Sequence, residues 1–301
     1  MKVLIFGATG FVGFPIAQAL VRAGHTVYGL ARSEGKAKTL AAEEIIPILG
    51  DTDSDEWIPL IASLDLIIDA LPGSLQTREI LARVVSATQT HRPTGAPLLS
   101  YIYTSGTWMH GDSRTAIVND TTPITKPVDL MSWRPAVEQL VLKSKEICGI
   151  VVRPSLVYGR SGSLLAPLFK AAADSAAAGP QGSTVTWPGT PGGRCPTIHV
   201  DDCAEFYLRV AERASMLGGK VFDASNSSTE SVDDILQTVV KVSGAKGYEY
   251  KSPENKFEEA LQSTSLVRPY LGHALLGWRA RKPSMVDGME IYYAAWRATS
   301  A

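Results

Sequence analysis

An excess of positive or negative charge is missing from this chain: 29 Lys and Arg stand against 30 Asp and Glu, for a formal net charge of −1, and no basic run stands out. Nucleic acid and membrane surfaces need such a footprint, so neither is an expected partner. Cysteine is scarce too. Cys148, Cys195 and Cys203 are widely spaced with no C-x-x-C pair, which argues against a disulfide framework and a metal site, and fits a reducing, cytoplasmic compartment. No window approaches the roughly 20 apolar residues of a membrane helix. The opening MKVLIF is too short for the apolar region of a secretory signal and runs into glycines, as a buried strand does. The Asn-x-Ser/Thr triplets at Asn119 and Asn226 then read as chance matches. Repeats and low-complexity tails are absent as well. What remains is a chain of 301 residues, 45% hydrophobic and 20% charged, with enough apolar surface for one domain and a sizeable annex, or for two domains.

Apolar strand-like runs alternate with helix-like segments through the first half. KVLIFG (2–7), HTVYGLAR (25–32), EIIPILG (44–50), LDLIIDAL (64–71) and LLSYIYTS (98–105) read as strands. GFPIAQALVRAG (13–24), GKAKTLAAE (35–43) and SLQTREILARVVSAT (74–88) carry apolar residues at helical spacing. Nearly all-apolar strands separated by helices imply a parallel sheet covered on both faces, so the fold class is α/β with a doubly wound sheet. A helix and a strand follow in 137–159, then the helical LLAPLFKAAADSAAAG and the loop-like WPGTPGGR. TIHV (197–200), DDCAEFYLRVAERA (201–214) and KVFDAS (220–225) resume the α/β rhythm, and the last ~75 residues read as mainly helical.

The stretch GATGFVG places Gly7, Gly10 and Gly13 after a strand and before a helix. A diphosphate at a helix start needs that tight turn, bare backbone and free N–H groups at the positive end of the dipole. At the end of the second strand an acid would hold two free ribose hydroxyls and favour NAD, whereas an arginine would pair with a 2′-phosphate. Ala31 takes the acid's place and Arg32 with Ser33 follows, which favours NADP over NAD; the alternative is a solvated surface arginine. Asp51, after the third strand, suits the adenine amino group or a cap on the next segment.

With GATGFVG, IYTSGTWMHG (102–111), VVRPSLVYG (151–159) and TIHVDDCAEFY (197–207) in that order, the sequence resembles the short-chain dehydrogenase/reductase superfamily in its extended, epimerase-like branch. The resemblance implies a Rossmann domain over 1–155 and 193–225, and a smaller, mainly helical substrate domain over 156–192 and 226–301. Its cofactor contacts would fall on Gly7, Thr9, Gly10, Phe11, Val12, Gly13, Arg32, Ser33, Asp51, Leu71 and Pro154. That superfamily moves protons with a Ser/Thr, a Tyr and, four residues on, a Lys. Counting back from Glu138 puts Arg134 at the lysine position and Leu130 at the tyrosine position, and counting back from His110-Gly111 puts Gly106 at the serine position. Leucine has no proton and arginine stays charged, so the usual set is not retained and the chain resembles atypical members. Pro135 predicts that the helix begins about Arg134.

Several residues are candidates to replace the lost set. Arg134 suits the nicotinamide ribose or an anionic group, or a surface salt bridge. Ser105 and Thr107, at the carboxyl end of the fifth strand, suit a substrate oxygen, or their own backbone. Tyr158 and His110 are candidate proton donors beside Tyr103 and the hydrogen-bonding Trp133, whereas His199 reads as structural. Trp108, Trp133 and, on a flexible loop, Trp187 read as pocket walls or as core. The function expected is an atypical NADP(H)-dependent oxidoreductase or epimerase-like enzyme acting on a small organic carbonyl, enone or imine, with a homodimer as the expected assembly. The alternatives are an NmrA-like sensor that binds NADP without turnover, and a non-redox isomerase or cyclase.

Overall fold

The computed structural model describes residues 1–73, 76–161, 163–179 and 182–300. In chain order the elements are β1 (Lys2–Phe6), α1 (Gly13–Arg22), β2 (Thr26–Ala31), α2 (Glu34–Ala41), β3 (Ile46–Leu49), β4 (Leu66–Asp69), α3 (Thr77–His91) and β5 (Leu99–Thr104). They continue with β6 (Ser113–Val118), α4 (Arg134–Lys143), β7 (Ile147–Pro154), β8 (Leu156–Tyr158), α5 (Ala166–Ala177), β9 (Val185–Pro188), β10 (Arg194–His199), α6 (Val200–Ala211) and β11 (Val221–Ala224). Last come β12 (Thr229–Ser231), α7 (Val232–Ser243), β13 (Tyr248–Lys251), α8 (Lys256–Gln262), β14 (Ser265–Val267), α9 (Leu271–Leu276) and α10 (Met289–Ser300).

Contacts divide the chain into two units, the first being Met1–Ser105, Trp133–Arg153 and Cys203–Phe222. Its frame is a seven-stranded sheet in the order β11-β7-β5-β4-β1-β2-β3, with the β1–β2, β1–β4, β2–β3, β4–β5 and β5–β7 pairings parallel. This is the doubly wound α/β fold that the alternating apolar runs imply. The four residues of β4 are all buried, as befits a strand covered on both faces. Phe6, Trp57, Tyr101, Tyr103, Val137 and Val151 belong to one continuous core. The order reverses between β1 and β4, and in such sheets ligands bind at the carboxyl ends of the strands beside that reversal.

The second unit is Gly106–Ser132, Pro154–Asp202 and Asp223–Ala301. By contacts, 106–132, 154–155, 193–202 and 223–225 group with the second unit, although the sequence reading sets them in the Rossmann domain. The cause is pairing: β6 runs beside β14, and β10 lies between β8 and β12. Its core gathers Tyr158, Phe169, Trp187, Leu236, Met285, Tyr292 and Trp296. Three buried carboxylates tie the C-terminal segment down by accepting backbone N–H groups, each bond charge-assisted. Asp120 accepts from Tyr270 and Leu271, Asp202 from Arg281 and Lys282, and Glu230 from Met285 and Val286. Among the described residues no helix is long and apolar enough to cross a membrane.

Candidate functional site

The chain leaves β1 at Gly7, whose φ of +79° an L side chain rarely adopts and where a Cβ would lie 2.8 Å from the Ala70 carbonyl oxygen. Gly10 N–H donates to the Gly7 oxygen at 2.9 Å and closes the turn. At Gly13, the first residue of α1, a Cβ would stand 2.8 Å from the Gly7 carbonyl carbon, so turn and helix touch backbone to backbone. No side chain caps α1 and no acid lies in its first turn. An uncapped helix start beside bare glycine backbone fits a diphosphate. Thr9, Phe11 and Val12 are half-buried on this turn.

At the end of β2, Ala31 is buried while Arg32 and Ser33 are exposed, and among the described residues no carboxylate pairs with Arg32. Ser33 caps α2 by accepting from Lys36 N–H. Asp51 is exposed, and one of its carboxylate oxygens accepts from Asp53 N–H, closing the turn after β3. Both Asp51 and Ser33 therefore have local backbone work beside any ligand contact. Leu71 is half-buried after β4, and Pro154, in the second unit, is buried at the end of β7.

Sequence reasoning passed over Asp69, the last residue of β4, although an acid closing an apolar strand in LDLIIDAL was a readable signal. Its carboxylate is buried, accepting from Leu71 N–H at 3.1 Å and Tyr101 O–H at 2.9 Å. Burial, opposed by those two hydrogen bonds and by the Arg134 charge, raises its pKa to about 6. The folded state thus holds this proton more tightly than the unfolded chain does. The resulting stabilisation is complete below about pH 4 and is lost as pH rises through about 6, a swing of about 3 kcal/mol. The expected result is that the stability advantage of wild type over Asp69→Asn, from urea unfolding, shrinks between pH 4 and pH 7. An advantage that is flat across that range would refute the shift.

The residues at the displaced catalytic positions are disposed as follows. Leu130 lies in a short 3₁₀ turn, Asp129–Met131, and α4 starts only at Arg134, so no helix carries the two positions one turn apart. Arg134 is buried and donates to the Pro72 and Thr104 carbonyl oxygens at 3.0 and 3.3 Å, over the ring of Trp133. Ser105 is buried; its N–H donates to the Val152 carbonyl and its Oγ has no partner among the described residues. In the second unit, Thr107 is buried at the start of a 3₁₀ turn ending at His110. His110 Nε2 lies 2.8 Å from a carboxylate oxygen of Asp223 with both side chains buried, and its Nδ1 has no partner among the described residues. Tyr158 is also in the core: it donates to the Pro283 carbonyl at 2.7 Å and packs edge-on against His199 and Tyr292, and burial pushes its pKa up. His199 accepts from Asp201 N–H at 3.1 Å. Trp187 sits in β9, buried, which corrects its expected loop position; alternation in a four-residue strand that ends in Pro and is followed by Gly is too short to read. Trp108 meets Phe257 edge-on.

Known proteins place this arrangement in context. An epimerase family protein of Arabidopsis thaliana (SDR39U1 homolog, chloroplastic) is 23% identical over 234 residues, 72% of this chain and 64% of that protein, so the chain spans slightly under two thirds of its length. The 4-hydroxy-2-methyl-3-oxo-4-farnesyl-3,4-dihydroquinoline-1-oxide ketoreductase of Stigmatella aurantiaca is 26% identical over 296 residues, covering 94% of this chain and 82% of that protein. Among solved structures, dTDP-glucose 4,6-dehydratase from Bacillus anthracis, in complex with NAD, superposes with a TM-score of 0.78 at 13% identity, over 99% of this chain and 97% of that one. That likeness is one of fold. Residues 3–224 match the family directly, and the chain belongs to the NAD dependent epimerase/dehydratase family.

Proposed function

We propose that the protein is an NADP(H)-dependent oxidoreductase that reduces a small organic carbonyl, enone or imine without the helix-borne tyrosine and lysine of its superfamily. One observation carries the cofactor choice: Arg32 is exposed and free of any carboxylate partner among the described residues, where an acid would otherwise meet the ribose. Its guanidinium would pair with a 2′-phosphate, joined by the Ser33 hydroxyl, while the second oxygen of Asp51 accepts from the adenine amino group. The glycine turn and the start of α1 would hold the diphosphate. When bound, the nicotinamide supplies hydride chemistry, which is the cofactor's own. Ser105 would orient the substrate oxygen by its hydroxyl. With leucine at the tyrosine position, the proton comes from solvent or from another side chain. The ketone-reducing relative from Stigmatella aurantiaca supports a reductase reading.

Titration of the purified protein with NADPH and NADH tests this. Wild type is expected to prefer NADPH, and Arg32→Ala to weaken NADPH roughly 10–100-fold, as expected for a lost charged contact, while NADH changes little. Absorbance at the nicotinamide band across aldehydes, quinones, enones and imines then reads turnover, which Leu130→Ala should leave intact. Equal NADPH affinity in Arg32→Ala would overturn the cofactor choice. Tight binding with no turnover on any class would replace the enzyme by the NADP-binding sensor.

A further inference from the structure

The segment that leaves β4 is one wall of the glycine turn, since the backbone at Ala70 stands where a Gly7 side chain would be. Two side chains shape that segment. Asp69 folds it back on the strand end through Leu71 N–H, and Tyr101 braces the same carboxylate. Arg134 fastens it from the other side: Nη2 donates to the Pro72 carbonyl and Nη1 to the Thr104 carbonyl at the end of β5. Gly73 follows at a φ of +75°, and a Cβ there would stand 3.0 Å from the Arg134 Cζ and closer still to Nη2. The guanidinium therefore occupies a socket of backbone, stacked 5.2 Å from the Trp133 ring centroid, with its Nε buried and without a partner among the described residues. Burying a guanidinium is costly unless hydrogen bonds offset it, and here two carbonyls from adjacent strand ends meet Nη1 and Nη2.

We infer that Arg134 is a positioning residue for the dinucleotide: it pins the Pro72–Gly73 segment to the end of β5, so that Ala70 and Leu71 keep the shape of the wall beside Gly7. This assigns the arginine at the displaced lysine position to holding protein backbone rather than to contact with the ribose or the substrate. It rests on the glycine turn taking a dinucleotide and is independent of the choice between NADP and NAD. The socket suits arginine alone. A lysine presents one ammonium and reaches one carbonyl, whereas the planar fork spans two.

Isothermal titration with NADPH and with NADH, together with amide hydrogen exchange over 69–73, tests the assignment in Arg134→Met, Arg134→Lys and Gly73→Ala. Arg134→Met is expected to weaken both dinucleotides about tenfold, the scale of a lost charged hydrogen bond, without changing their ratio, and to speed exchange in the segment about tenfold. Arg134→Lys should recover part of both effects. Gly73→Ala should reproduce the loss by displacing the guanidinium, and combining it with Arg134→Met should cost less than the sum. Unchanged affinities in a folded Arg134→Met or Gly73→Ala, with wild type binding normally, would overturn the inference. So would a fall in turnover with unchanged dinucleotide affinity, which would return Arg134 to the substrate. Failure of wild type to bind either dinucleotide would instead sink the cofactor reading on which the inference stands.

Discussion

Gly13→Ala is expected to abolish measurable dinucleotide binding and to lower the melting temperature together. The added Cβ would stand 2.8 Å from the carbonyl carbon of Gly7, closer still to its oxygen, and 3.4 Å from the Ala70 Cβ. Overpacking a core costs about 1–3 kcal/mol when side chains can yield. Here the obstacle is the backbone of the binding turn, so relief requires either α1 to move off the sheet or the turn to open. Either movement displaces the N–H groups that would face the diphosphate, and affinity for NADPH should fall at least about a hundredfold, roughly 3 kcal/mol. Gly10→Ala is the informative control, because a Cβ there meets only the Gly7 oxygen, at 3.1 Å. It should fold nearly as wild type and still bind weakly, since its new methyl group occupies the surface offered to the ligand. Thermal melts with and without NADPH separate the two effects. A Gly13→Ala protein that binds like wild type would remove the glycine turn from the site.

The features legible in the sequence are those whose causes lie within a dozen residues. The apolar runs of β1, β2, β4 and β5, the spacing of Gly7, Gly10 and Gly13, and the start of α4 at Arg134 ahead of Pro135 all follow from local sterics and burial. Features that depend on a distant partner were not legible. β6 is exposed along most of its length and becomes a strand by pairing with β14, a partner about 150 residues away. The same pairing moved residues 106–132 to the second unit. His110 meets Asp223 across 113 residues of sequence, and a histidine in a turn gives no sign of such a partner. Arg134 presents another case: its type and position were readable, but the carbonyls of Pro72 and Thr104 that it serves were not. The carboxylates of Asp120, Asp202 and Glu230 likewise look like ordinary acids until the C-terminal amides fold onto them.

Glu138 and Arg153 set the second large expectation. Both are buried, at 2% and 4% exposure, and they form a bidentate pair, Nε to Oε1 at 2.9 Å and Nη2 to Oε2 at 2.5 Å, that ties α4 to β7. Removing Glu138 takes the bidentate carboxylate from a buried guanidinium in a medium that solvates it poorly, at a cost of about 3–5 kcal/mol. Glu138→Ala should therefore lose about that much stability in urea unfolding, comparable with the whole margin of many domains. Because the pair is shielded from solvent, the loss should be nearly the same in dilute buffer and in 1 M salt, unlike that of an exposed pair. Arg153→Lys should also be costly, since one ammonium cannot reproduce the fork. The double variant Glu138→Met with Arg153→Met separates two meanings of the loss. If stability returns toward wild type, the penalty belonged to the buried charge that lost its carboxylate, and the pair itself contributes little net stability. If the double variant stays as unstable as the single one, the bidentate link is what fixes α4 on the sheet. In that case the Arg134 socket at the start of the same helix should loosen with it, and exchange over 69–73 would rise in Glu138→Ala. A loss below about 1 kcal/mol in either single variant would mean that water reaches the pair and solvates the remaining charge.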